Sequence, residues 1–224
     1  SIDTVPVILN TEEWEKVYQY FLLDNPHIDW LATRGCVFHS LSGKVTNLTF
    51  RYVLNKSEAD KRNAEVEKIA ANFISGLGSN PSEFDKALAV FEYLVNSVDY
   101  DSVTLEKHGN DNDYGMTDPD DMRTVYGALK GKKVVCAGYA AAAKYLFEQM
   151  GMECIYVTGF GEGEAHGWNL VKIDGAYYYM DITWADSSNT DPKLDQGDSI
   201  SYEYFAMTTE QLLREHKLDY PDAM

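Results

Sequence analysis

The sequence predicts an α+β fold in which helices and antiparallel strands occupy separate stretches of the chain. Three observations predict it. The first 57 residues read as one helix followed by a hairpin. Two amphipathic helices follow. The second half then carries an alanine-rich helix and, after it, consecutive strand-like runs joined by a tight turn. Helices and hairpins segregated in this way describe an α+β arrangement and not an alternating parallel one.

In chain order, Thr11 to about Leu23 forms the first helix, with Thr11 able to cap it and Glu12 and Glu13 at the positive end of its dipole. Pro26 in DNPHIDW (24–30) breaks it. Strands are expected over Gly35–Leu41 and Lys44–Leu54, joined at Ser42–Gly43. From about Ser57 the apolar period becomes helical, over Ala64–Leu77 and Ser82–Val98. Phe84, Leu88, Phe91, Leu94, Val95 and Val98 make one stripe in the second of these. We therefore divide the chain into a small N-terminal α/β subdomain, 1–57, and a larger domain, 58–224.

Composition narrows the function classes. The 224 residues are 45% hydrophobic and 25% charged, enough for a folded core, and the net charge is −17. Such a surface is unsuited to nucleic acid or to anionic lipid, so no nucleic-acid partner is expected. No apolar run reaches the ~18 residues of a membrane span. The three cysteines, Cys36, Cys136 and Cys154, include no CxxC pair, and Cys36 and Cys154 are expected to be structural thiols without a disulfide between them. The acidic loop at 107–122 lacks the ligand spacing and central glycine of a calcium loop, so no metal site is expected there.

Chemistry concentrates between Tyr126 and Asp186. Cys136 is followed by AGYAAAAKYLFEQM, strongly helix-forming and ended by Gly151, so the thiol sits at a helix N-terminus. Free N–H groups and the dipole there stabilise a thiolate and can cradle an oxyanion. A strand, ECIYVTGF (153–160), leads through GEGE to AHGWNLVKI. Asp174–Gly175 is a two-residue hairpin signal, and the return strand is AYYYMDITWAD. With those two residues as the turn, Ile173 pairs with Ala176. Counting back along both strands puts His166 opposite Thr183, with Asp181 two residues away on the same face. Singly, each of these residues is ordinary. Together a helix-start cysteine, a strand histidine and a facing aspartate make a nucleophile, a base and a group that orients the base. His27, His39, His108 and His216 lack that context.

VVCAGYA, AHGWNLVKIDG and YYYMDITWAD resemble three ordered blocks of the transglutaminase-like superfamily, bacterial branch: a Cys-x-Gly-Tyr-Ala helix start, a His-x-Trp-Asn strand and an Asp-x-Thr-Trp strand end. The resemblance covers about residues 84–186. YEYF (202–205) and REHKL (214–218) are also similar to family segments, and DNPHIDW with its hairpin resembles the leader region of exported members. HGWN stands where HAWN is commoner. The resemblance implies a papain-like core, with the cysteine helix packed on an antiparallel sheet. In it Cys136 is the nucleophile, His166 the general base and acid, and Asp181 the orienter.

The animal enzymes place a tryptophan before the cysteine for the oxyanion. In this chain the earlier tryptophans are Trp14 and Trp30, so Tyr126 or Tyr100 is the substitute, and Trp168 and Trp184 would flank an acyl-acceptor slot. The implied reaction is thiol-dependent acyl transfer on protein or peptide carboxamides, glutamine side chains among them, through a thioester resolved by an amine or by water. It needs no metal or organic cofactor. The alternatives are a cysteine peptidase of the same fold and a noncatalytic peptide or cell-wall binding module. The implied location is exported or at a bacterial cell surface.

Overall fold

The computed structural model describes residues 9–32, 37–41, 44–108, 121–186 and 200–219. Helix α1 (Thr11–Asp24) opens with Asn10 as its cap: the Asn10 side chain accepts from Glu13 N–H, and the Glu13 side chain accepts from Asn10 N–H. Thr11, expected as the cap, is instead the first helical residue, because Asn10 with Glu13 completes a reciprocal capping box. Strands β1 (Val37–Leu41) and β2 (Lys44–Thr49) pair antiparallel, with a bulge between His39 and Ser40. The ladder ends at Thr49 and not at the expected Leu54. Beyond it a single bridge joins Leu31 to Tyr52. Tyr18, Leu22 and Leu31 form the apolar cluster of this region, and the Tyr18 hydroxyl donates to Ala32 O at 2.7 Å. The expected turn at 42–43 lies outside the described residues.

Helix α2 (Lys56–Gly76) begins eight residues ahead of the expected Ala64. The Asn55–Glu58 capping box starts it, which periodicity of apolar residues could not reveal because the first two turns are polar. Helix α3 (Glu83–Ser97) matches expectation, with Ser82 as cap and Val98 just past its end. Phe84, expected in the buried stripe, is exposed and lies edge-on to Phe205. Strand β3 (Asp99–Tyr100) leads into α4 (Ser102–His108), and β3 pairs in parallel with β4 (Lys133–Val134), just before the cysteine.

Helix α5 (Cys136–Gln149) is buried almost throughout, from Ala137 to Phe147. Its run of alanines has no bulk on any side, so it lies close to α3 on one side and to the sheet on the other. That sheet has four antiparallel strands in the order β7 (Ala176–Met180), β6 (Glu164–Ile173), β5 (Cys154–Gly161) and β8 (His216–Leu218). Asp174 and Gly175 have positive φ of 49° and 85°, as a two-residue hairpin turn requires. Ile173 pairs with Ala176 as expected. Val171, Ile173 and Met180 belong to the main core with α3 and α5. Trp168, Leu170 and Tyr179 instead join Met207 and, from α7 (Thr209–Leu212), Leu212 in a second cluster. A helix on an antiparallel sheet, α+β in class, is thus the architecture that carries the cysteine.

Candidate active site

Cys136 is the first residue of α5, and Val135 before it offers no side-chain cap. Gly138 is required two residues on: a Cβ there would come within 2.5 Å of the Val134 side chain, so only glycine lets the first turn of the helix fold back against β4. Tyr139 anchors the same turn from below, its hydroxyl donating to Val98 O at 2.7 Å with Asp186 Oδ2 at 3.2 Å. Asn169 fixes α5 to the sheet by donating to Ala140 O at 3.0 Å. Sequence reasoning does not single out Tyr139 or Asn169, although both stand in the Cys-x-Gly-Tyr and His-x-Trp-Asn blocks, which are the available signal.

His166 and Asp181 meet as expected, Nε2 to Oδ2 at 2.7 Å, both buried. The route differs from the one expected. The β6–β7 ladder ends at Asn169 and Met180, and Thr183, expected opposite His166, lies in the short helix α6 (Ile182–Ala185). Asp181 is the cap of α6. Its Oδ1 accepts the Trp184 N–H at 3.1 Å, which leaves Oδ2 to the histidine. Cys136 lies near enough to His166 to favour the charged imidazole.

The electrostatics follow from burial and charge. Burial opposes a charge on His166, but the Asp181 charge and hydrogen bond, with Cys136 adding to them, outweigh it and hold the imidazole pKa up to about 10. For Asp181, completely buried, desolvation favours the neutral acid. The charge and N–H donor of His166, with the N–H donor of His216, overcome that and keep it well below the usual carboxylate range. The pair therefore favours an ionised carboxylate beside an imidazolium.

His216, which lacks the context of His166 in the sequence, is part of the site. It stands on β8 opposite Gly161 of β5, and its Nε2 lies 2.9 Å from the same Asp181 Oδ2. β8, a three-residue strand far along the chain, delivers it, and the one local signal is the REHKL segment that contains it. Among the described residues, His166, Asp181 and His216 are the group whose ligand-type atoms converge, all within 4.8 Å. Tetrahedral zinc would hold such ligands roughly 3.3 Å apart. The observed 2.7 and 2.9 Å are hydrogen-bond separations on one shared oxygen. The cluster is a hydrogen-bonded one.

The remaining expected residues divide. Trp184 stacks on His166 at 5.2 Å between ring centroids and covers His216 at 4.3 Å. Trp168 touches both imidazoles but is 1% exposed, so it floors the site and lines no open slot. Tyr126 donates its hydroxyl to Glu65 at 3.1 Å beneath Arg62, on the α2 side of the molecule. Tyr100 is the tyrosine beside the cysteine: burial, then the proximity of Cys136, raises its pKa. Cys154 is a free, buried thiol, its pKa pushed up by burial. Cys36 and most of the acidic loop, 109–120, lie outside the described residues.

Several known proteins are similar to this chain. The sequence profile of the Transglutaminase-like superfamily matches residues 67–182, just over half of the chain. Kyphoscoliosis peptidase of Mus musculus is 23% identical over 115 residues, and that of Homo sapiens 22%. The match spans 46% of this chain but only 16% of each of those proteins. Among solved structures, one described as a TGase aligns with 82% of this chain and 52% of its own, at 17% identity and a TM-score of 0.47. A candidate cysteine protease from Cytophaga hutchinsonii aligns with 68% of this chain and 63% of its own, at 17% identity and a TM-score of 0.41.

Proposed function

From a chain that belongs to the transglutaminase-like superfamily, we propose a cysteine-dependent enzyme that transfers acyl groups from protein or peptide carboxamides through a thioester on Cys136. The observation that carries this reading is the buried His166–Asp181 hydrogen bond of 2.7 Å, with Cys136 near the same imidazole at the start of a helix.

In this mechanism the Cys136 thiolate attacks a carboxamide carbon, and the carbonyl oxygen becomes an oxyanion. The Cys136 amide at the helix start is one donor to that oxyanion, and Tyr100 is the other. Its position beside Cys136, together with the engagement of Tyr126 by Glu65, favours it over Tyr126. His166 gives its proton to the departing ammonia or amine, and the thioester forms. An incoming amine or water then loses a proton to His166 as it attacks the thioester, which frees Cys136. Asp181 keeps the ring in one orientation throughout and offsets the imidazolium charge. Trp184, partly exposed over His166, forms one wall of the approach for the acceptor.

A second reading, cysteine peptidase, draws support from the 23% identity to kyphoscoliosis peptidase over 115 residues. In it water alone resolves the thioester and the scissile group is a peptide bond. Mass spectrometry of a peptide library incubated with enzyme and a primary amine separates the outcomes. Transamidation or deamidation of glutamine is expected, cleavage alone would favour the peptidase, and no change in any peptide, with wild type behaving like Cys136→Ala, would overturn both.

A further inference from the structure

Asp181 Oδ2 carries two imidazoles. His166 from β6 and His216 from β8 approach the same oxygen at 2.7 and 2.9 Å, while Oδ1 is occupied by the Trp184 N–H. Three elements thus converge on one completely buried carboxylate. The packing is arranged to admit the second ring. A Cβ on Gly161, the partner of His216 across the β5–β8 ladder, would meet Trp184 at 2.6 Å and His166 at 3.3 Å. A Cβ on Gly159 would fall 2.1 Å from Lys217 O. Glycine at both places lets β8 close on β5 and seats His216 under Trp184. The Nδ1 of His216 is buried without a hydrogen-bond partner, so the tautomer that fits carries its proton on Nε2, aimed at Asp181.

We propose that His216 is a positioning residue which divides the Asp181 charge, so that the carboxylate orients His166 without gripping its proton as tightly as an undivided carboxylate would. This rests on the acyl-transfer reading, in which His166 must both hold a proton and surrender it to a leaving group. A second N–H donor on an acceptor oxygen lowers the negative charge available to the first. The charged and titratable groups around His166 are Asp181 at the end of β7, Cys136 on α5 and His216 on β8. Tyr100 senses Cys136 and Asp181 from β3, Glu164 of β6 and Arg123 are close to Tyr100, and Tyr204 senses Asp181. Of these, His216 alone donates to the oxygen that His166 uses. It also lies beyond residue 182, where the family match ends.

Imidazole nitrogen NMR on the intact chain tests the proposal without a substrate. In wild type, His216 is expected to show a protonated Nε2 and a bare Nδ1. The reverse tautomer would overturn the proposal, and this measurement needs no variant to fold. His216→Phe keeps the packing against Trp168 and Trp184 but removes the donor. The midpoint of His166 is expected to rise by about half a pH unit or more, and His216→Gln, whose amide can donate, to return most of that shift. An unchanged or lowered midpoint in His216→Phe, or identical behaviour of the Phe and Gln variants, would overturn it. Selective alkylation of wild-type Cys136 by iodoacetamide is scored separately: its failure would count against the acyl-transfer reading and leave the histidine result to stand or fall by itself.

Discussion

At the scale of single residues, the site depends on one charge being buried with three donors around it. Asp181 is wholly buried, and its two oxygens accept from His166, His216 and the Trp184 backbone. Asp181→Asn keeps the volume and removes the charge. An amide nitrogen would then face an N–H donor, and burial would drive His166 toward its neutral form. Alkylation of Cys136 at pH 7 is expected to slow by about tenfold or more, since each unit of lost stabilisation of the ion pair is a factor of ten. An iodoacetamide rate equal to wild type would refute the assignment of Asp181. Cys136→Ala is expected to abolish turnover, a loss on the order of a thousandfold or more. Its circular dichroism should remain that of wild type, because the thiol is only partly buried and its removal leaves α5 with alanine. More than a tenth of wild-type turnover in that variant would remove Cys136 from the mechanism.

At the scale of elements, the site is assembled by terminations. β7 stops at Met180 because Asp181 caps α6, and that stop turns the carboxylate toward His166 and lays Trp184 over both imidazoles. Gly161 on β5 is the complement to that lid. Gly161→Ala would place a methyl 2.6 Å from the Trp184 ring, so the lid must lift. We expect a loss of about 1–3 kcal/mol in urea unfolding together with a change in tryptophan emission. A variant with wild-type midpoint and emission would show that Trp184 has room to yield. At α2, Asn55→Ala should cost about 1 kcal/mol through the lost cap, again read from the urea midpoint, without altering Cys136 alkylation.

At the scale of the whole molecule, the buried ion pair makes stability depend on pH with a definite sign. His166 is raised from 6.5 to about 10 on folding, so between those values the folded chain holds a proton that the unfolded chain has released. Its stabilisation is complete below 6.5 and is lost as pH rises through about 10. Asp181 works in the opposite direction: its contribution is present above the ordinary carboxylate range and is lost only in strong acid, as pH falls through its depressed value. Urea midpoints measured from pH 6 to 10 should therefore fall more steeply for wild type than for Asp181→Asn, in which the carboxylate no longer holds the proton. Parallel slopes for the two proteins would contradict that sign.

Much of this molecule is written in short stretches of sequence. The Asp174–Gly175 turn fixes the pairing of Ile173 with Ala176, and a period of two along both strands brings His166 and Asp181 into the same neighbourhood. The alanine run after Cys136 likewise dictates a helix that starts at the thiol, and the Cys, His and Asp blocks are local enough to be recognised together. What the sequence could not state was where β7 would stop, since strand propensity in YYYMDIT competes with the capping ability of Asp181, and only packing against Tyr204 and Trp184 decides between them. Nor could it place His216, whose three-residue strand has meaning only as a neighbour of β5. It left two tyrosines equivalent as oxyanion donors. Their surroundings differ only in the tertiary structure, where Glu65 on α2 engages Tyr126 and β3, paired with β4, brings Tyr100 near Cys136. Turns, helix starts and face alternation are short-range consequences of backbone stereochemistry and can be read along the chain. A carboxylate oxygen shared by histidines on two strands far apart in sequence is a long-range contact, and it exists only once the sheet has closed.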